Sequence, residues 1–196
     1  MKNILFVDVD GVVRDIQKVL FKDVEKWEDW TDETNKIIAE NKRDILFTFP
    51  RHSFHICRLL CEIEERGKGI EVKFLTNQCG DKEKEFWTTE WLKKHFKGLY
   101  KNIIYVDSFE KKLSILKDNK NAILLDDYPY FYNKDNFNPD QIFLFKQKWN
   151  DFYTQHYKYV VEEKYGLTVR NNRFSGPDST TAFSVEFLNS FFKNYK

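Results

Sequence analysis

The sequence predicts an α/β protein, a parallel sheet covered by helices on both faces. Short apolar runs recur at about residues 3–9, 71–75, 102–106, 122–125 and 142–145, each the length of a buried strand. Helix-period segments lie between them, the alternation that builds parallel sheets. Three of the runs end on chemistry-bearing side chains: Asp8 and Asp10, then Thr76, then Asp126 and Asp127. Ligands of open α/β sheets gather beyond the carboxyl ends of the strands.

The first strand is Ile4 to Val7 with its flanks. Residues i and i+2 of a strand share a side, so Asp8 and Asp10 leave it together. Neighbouring carboxylates repel unless a cation or a shared proton intervenes. That suits a hard metal ion with a nucleophile and a proton shuttle, although a DxD after a strand is also a common polar loop. Ile16, Val19, Leu20, Val24 and Trp27 then recur at helical spacing. Thr31-Asp32-Glu33 offers a capping hydroxyl and first-turn acids to a helix reaching about Lys42. Ile45 to Phe49 is short and apolar and ends at Pro50. A helix from about Ser53 to Arg66 closes on Gly67 and Gly69.

The second strand leads to a helix at 82–96 carrying Phe86, Trp87, Trp91 and Leu92. The third, Asn102 to Val106, precedes a short helix from about Glu110 to Lys117. The fourth is Ala122 to Leu125 and the fifth Ile142 to Phe145. Helices are expected at about 150–164 and 184–194, with Gly166 to Thr181 as a loop between them. No internal repeat, heptad run or low-complexity linker interrupts the chain.

At 196 residues this is one domain, or one core with an insertion. About 66 residues separate Asp10 from Thr76, more than a single crossover needs. The surplus, residues 15–50, reads as a helical insertion, leaving 1–14 and 51–196 as the core. A net charge of +1 supplies no global field for nucleic acid. One local polar-basic segment, Arg170-Asn171-Asn172-Arg173, is either a backbone contact for nucleic acid or simply solvated. With 19 Phe in the chain, aromatic residues are weak markers of binding surfaces. The start does not resemble a signal peptide, and no apolar run reaches the roughly 18 residues of a membrane span. A soluble, cytoplasmic protein is expected, with no membrane partner.

Cys57, Cys61 and Cys79 make no even disulfide framework. Cys57 and Cys61 share a helical spacing with Phe54 and Leu60 and read as core, since no second Cys/His pair has zinc spacing. Cys79 follows Thr76 closely enough to line a site there, but nothing nearby argues for a thiolate. His52, His55, His95 and His156 read as surface or satisfied helix positions.

DxDGV at Asp8 to Val12, strand-terminal Thr76, Lys111-Lys112 at a helix start and Asp126-Asp127 stand in a telling order. Over roughly residues 3–145 the chain resembles the haloacid dehalogenase-like phosphohydrolases and their four motifs. The resemblance implies a Rossmann-like core with a small helical cap inserted between the first two motifs. It implies a Mg2+-dependent phosphatase in which Asp8 is the nucleophile and forms an aspartyl-phosphate. Asp10 would protonate the leaving oxygen and then deprotonate water. Mg2+ would be held by Asp8, the backbone carbonyl of Asp10 and Asp126, with Asp127 acting through water or as an orienting group. Thr76 and the Asn77 N–H would bind phosphoryl oxygens, with Gly11 also among the substrate-binding positions. The lysine would be Lys112, aimed inward by Leu113 and Leu116, or else Lys111. Val12 stands where many members carry Thr, and this removes no catalytic atom.

Within that family the chain is most similar to the 5'(3')-deoxyribonucleotidases. It shares their length, the DxDGV form, the helical cap, and the run from Phe86-Trp87 to Trp91-Leu92-Lys93-Lys94-His95-Phe96. Ile142 to Phe145 followed by Trp149-Asn150 resembles their closing segment. A nucleotide substrate is the expectation, with Trp27, Trp30, and Phe47 or Phe49 either stacking on a base or packing in the core. Two alternatives stay open. One is a polynucleotide end (3'-phosphate) phosphatase, similar to the phosphatase half of polynucleotide kinase/phosphatases and using Arg170–Arg173. The other is a non-catalytic binding module on the same fold. Residues 151–196 match no motif, and the helix of Phe187, Phe191 and Phe192 either packs on the core or forms a homodimer contact.

Overall fold

A computed structural model describes residues 2–16, 32–48, 51, 54–66, 69–130, 137–172 and 180–195. In chain order the elements are β1 (Asn3–Val7), α1 (Asp32–Glu40), α2 (Lys42–Thr48), α3 (Phe54–Arg66) and β2 (Ile70–Asn77). Then come α4 (Lys82–His95), β3 (Ile103–Val106), α5 (Phe109–Asp118), β4 (Ala122–Asp126) and β5 (Ile142–Phe145). The chain closes with β6 (Tyr159–Glu163), β7 (Leu167–Asn171), β8 (Thr180–Ala182) and α6 (Val185–Asn194). Short 3-10 turns occupy Leu99–Lys101 and Lys148–His156.

The strands form one sheet in the order β3-β2-β1-β4-β5-β6-β7-β8. Strands β1 to β6 pair in parallel, and β7 and β8 are antiparallel additions at one edge. β1 sits centrally between β2 and β4, which explains its unbroken apolar run: a strand buried on both faces has no solvent side to leave polar. Its side chains alternate between two cores. Leu5 and Val7 join Phe74, Leu125, Phe143, Trp91 and Leu188 on one face. Ile4 and Phe6 join Leu75, Leu124, Leu113, Leu116, Tyr130 and Tyr157 on the other. Each such side chain contributes about 1.5–3 kcal/mol on burial.

The aromatic helix α6 packs on the core. Val185, Leu188 and Phe192 are buried, and Phe191 meets Phe143 edge-on at 5.2 Å.

Several expectations are corrected. The helix expected to about Lys42 ends at Glu40, and the apolar run from Ile45 continues a second helix, α2. The segment 150–164 is not one helix: a 3-10 turn is followed by β6, whose Val160 and Val161 are fully buried strand residues. The span 166–181 is not simply a loop, because β7 and β8 lie in it. Arg170 and Asn171 belong to β7, with Arg170 3.9 Å from Glu162, while Arg173 lies outside the described residues. Cys57 is buried as expected, its thiol pushed up to about 11 mainly by burial, but Cys61 is exposed. Phe47 meets Trp87 edge-on at 5.9 Å; Trp27, Trp30, Phe49 and His52 lie outside the described residues. Among the described residues no helix is long and apolar enough to cross a membrane.

Candidate active site

Three strand ends assemble the site. Val7 of β1 pairs with Phe74 of β2 on one side and Leu125 of β4 on the other. The three parallel strands therefore release Asp8, Thr76 and Asp126 at one edge. The Asp8 N–H donates to the Leu125 carbonyl at 2.9 Å, extending that register one residue past β1.

Helix α5 supplies the cation. Ser108 caps it, its hydroxyl oxygen accepting from the Lys111 N–H at 3.3 Å. Burial of Leu113 and Leu116 fixes the rotation of the helix and turns Lys112 under the strand ends. Lys112 Nζ lies 2.9 Å from Asp8 Oδ1 and donates to Asp126 Oδ2 at 2.8 Å. Lys111, the other candidate, is exposed and is not brought to the cluster. Consecutive helix residues point about 100° apart, so only one of the two can face inward.

The carboxylate pair splits its roles. Asp126 Oδ2 also accepts from the Tyr130 hydroxyl at 2.6 Å, and Oδ1 accepts from the Tyr128 N–H at 2.9 Å. Three donors thus hold Asp126 in place. Asp127 instead lines the cavity, and its carboxylate lies directly against Gly11. A Cβ on Gly11 would sit 1.7 Å from Asp127 Oδ2, and Gly11 has φ +82°. The close approach and the left-handed backbone each demand glycine. Asn150, fully buried, donates to the Asp127 carbonyl at 2.8 Å and the Phe145 carbonyl at 2.9 Å, pinning the turn after β4.

Asp8, Asp126 and Asp127 each offer one oxygen, all within 4.8 Å of one another. Lys112 is the only cation in contact with this trio among the described residues, so the carboxylates are crowded. Burial, with Asp126 beside it, pushes Asp8 up to about 7 against the pull of Lys112. Burial and then the charges of Asp126 and Asp8 hold Asp127 well above the ordinary carboxylate range. Burial alone would lower Lys112, but Asp126 and Asp8 override it and keep it above its usual value. An all-oxygen, charge-starved trio is the donor set a hard divalent cation takes.

Asp10 lies beside the trio. Arg14, fully buried, grips it with a fork: Nε to Oδ1 at 2.6 Å and Nη2 to Oδ2 at 2.8 Å. The same guanidinium donates to the Leu46 carbonyl of α2 at 2.9 Å and to Thr88 Oγ1 of α4 at 3.2 Å. Gln78 Nε2 bridges Asp10 Oδ2 and Thr76 Oγ1, both at 3.1 Å. Thr76, 1% exposed, accepts that bond and keeps its own proton to donate. Arg14 and Gln78 escaped the sequence reading. A lone Arg in a turn and a Gln after a strand look like surface residues, and only the tertiary contacts reveal them.

These groups face a cavity of about 290 Å³. Asp8, Asp10, Gly11, Thr76, Asn77, Lys112 and Asp127 line its floor. Ile16, Ile38, Leu46, Phe109, Tyr128 and Trp149 form apolar walls, and Gln78, Cys79 and Lys84 complete it. Asn77 Oδ1 accepts from the Cys79 N–H at 2.9 Å, shaping a turn in which Cys79 itself has φ +54°. The Gly11 N–H is already committed to the Arg14 carbonyl at 2.9 Å, so Gly11 offers the cavity space rather than a donor. In comparisons with known proteins, no family model and no curated protein matches this sequence.

Proposed function

We propose that this chain is a Mg2+-dependent phosphatase of the haloacid dehalogenase-like type, acting on phosphomonoesters and favouring nucleotides. The observation that carries the reading is the meeting of Asp8, Asp126 and Asp127, at the ends of adjacent parallel strands, with Lys112 of α5, beside a cavity that Asp8, Lys112 and Asp127 line. Asp8, Asp126 and Asp127 would hold the ion, with Asp127 the pair member that faces the cavity. Bound there, Mg2+ supplies charge neutralisation for the converging carboxylates and phosphoryl oxygens.

The protein groups account for the remaining chemistry. An Asp8 carboxylate oxygen attacks phosphorus, and the bond from phosphorus to the leaving oxygen breaks. Asp10 gives its proton to that oxygen. Water then attacks the aspartyl-phosphate while Asp10 takes a proton from it, releasing phosphate and restoring Asp8. Arg14 and Gln78 fix where the Asp10 oxygens sit. The Thr76 hydroxyl and the Lys112 ammonium stabilise the transferring group. Ile38 and Leu46, from the helical insertion, close the cavity wall and help exclude water.

An aromatic wall of the same cavity is the reason for favouring nucleotides, whose base it would meet. Phe109 and Tyr128 stack at 3.6 Å with 12° between planes, and both line the cavity beside Trp149. The test is phosphate release with Mg2+ from deoxynucleoside 5'-monophosphates, ribonucleotides, sugar phosphates and 3'-phosphorylated oligonucleotides in parallel. Mononucleotides are expected to exceed sugar phosphates by about two- to tenfold in kcat/KM, the worth of one aromatic contact. Preference for oligonucleotide ends or for sugar phosphates would contradict the nucleotide assignment.

A further inference from the structure

We propose that Lys84 recognises a second phosphoryl group on the leaving-group side, so that the preferred substrate is a small bisphosphorylated molecule. This rests on the phosphatase reading above. Two lysines line the cavity, Lys84 and Lys112. Lys112 is committed to Asp8 and Asp126. Three other lysines, two on α4 and one at the start of α2, are paired with acids. Lys82 pairs with Glu85 at 2.9 Å, Lys42 with Asp81 at 2.7 Å and Glu83 at 3.2 Å, and Lys93 with Glu90. Lys84 alone in this group has no acid partner among the described residues, although Glu83 and Glu85 are its chain neighbours.

Its place argues for a second anion rather than the reacting one. Thr76 and Lys112 stand beside Asp8 at the strand ends, where the transferring phosphoryl must lie. Lys84 stands on α4, past the turn at Gln78 and Cys79 and on a different element from Asp8, Thr76 and Lys112, and lines the same cavity. Asp81 caps α4 and accepts from the Lys84 N–H at 3.2 Å, which fixes the backbone that carries this lysine at the cavity. An uncommitted lysine lining a substrate cavity offers a point charge to phosphate. A net charge of +1 gives no field for a long polyanion, so the occupant is a small molecule rather than a nucleic-acid strand.

The experiment compares a nucleoside 5'-monophosphate, the matching 3',5'-bisphosphate and a 5'-phosphorylated dinucleotide, with wild type, Lys84→Gln and Lys84→Arg. The wild-type ratio of kcat/KM, bisphosphate over monophosphate, is expected to be roughly tenfold or more, carried by KM. Lys84→Gln is expected to bring the ratio near one, and Lys84→Arg to keep most of it. A wild-type ratio near one, a ratio that survives Lys84→Gln, or a dinucleotide preferred over the bisphosphate would each overturn the proposal. Equilibrium binding of the bisphosphate to the same proteins separates this failure from failure of the phosphatase reading. Without any turnover, tighter binding by wild type than by Lys84→Gln still supports the role of Lys84, and equal binding overturns it.

Discussion

At pH 8 and without divalent cations, Asp8→Asn is expected to melt above the wild-type protein. Asp8 is raised from 3.8 to about 7 by burial and by Asp126, with Lys112 opposing and Asp10 adding to the rise. A carboxyl whose folded pKa is raised favours folding while protonated. Its contribution is therefore fully present below about pH 4 and is lost as pH climbs to about 7. The loss is on the order of 4 kcal/mol at about 1.4 kcal/mol per unit. Asparagine cannot ionise and avoids it, at the cost of a contact with Lys112. The net gain is expected to be roughly 5 °C or more at pH 8 and to vanish or reverse at pH 4. Saturating Mg2+ should raise the wild type much more than the variant, because it binds the ionised trio. Thermal melts at both pH values, with EDTA and with Mg2+, check this. A variant that melts below wild type at pH 8 by the same margin as at pH 4 would contradict the electrostatic account.

Lys112→Met is expected to have the opposite sign. Removing the ammonium leaves Asp8 and Asp126 buried without their shared counter-charge. Breaking a buried pair from one side costs about 3–5 kcal/mol. The pH dependence identifies the cause. At pH 5 the Asp8 carboxyl is already largely protonated in the folded protein, so less charge is stranded and the cost should shrink. Urea denaturation at pH 8 and pH 5 measures both values. A cost under about 1 kcal/mol, equal at the two pH values, would mean that Lys112 is not the counter-charge of this cluster.

Strands β1 to β5 were legible because each is an apolar run bounded by turn residues, and three end on the residues that build the site. Lys112 over Lys111 was legible in direction, since Leu113 and Leu116 mark the buried side of α5. The far edge of the sheet was not. Asp151 to Lys164 carries aromatic and charged residues at spacings a helix also shows, which hid β6. The competing signal was Tyr159-Val160-Val161, a β-favouring run followed by Gly166, where β6 turns into β7. The polar shell around Asp10 was illegible for a different reason. Arg14 reaches the Leu46 carbonyl across 32 residues and Thr88 across 74, and no local pattern encodes such contacts. The division between Asp126 and Asp127 depends partly on Gly11, more than 100 residues away, and partly on Tyr128 and Tyr130, which follow the pair but whose donation to Asp126 is set by the turn the fold imposes.

The central claim is that Asp8 is a cation-dependent nucleophile toward phosphorus. Its most direct test is phosphate release from an aryl phosphate by the wild-type protein, with Mg2+ and after chelation, beside Asp8→Asn. The account predicts release by wild type with Mg2+, loss on chelation, and a fall of roughly four orders of magnitude or more in Asp8→Asn. Equal rates from wild type and Asp8→Asn would contradict it.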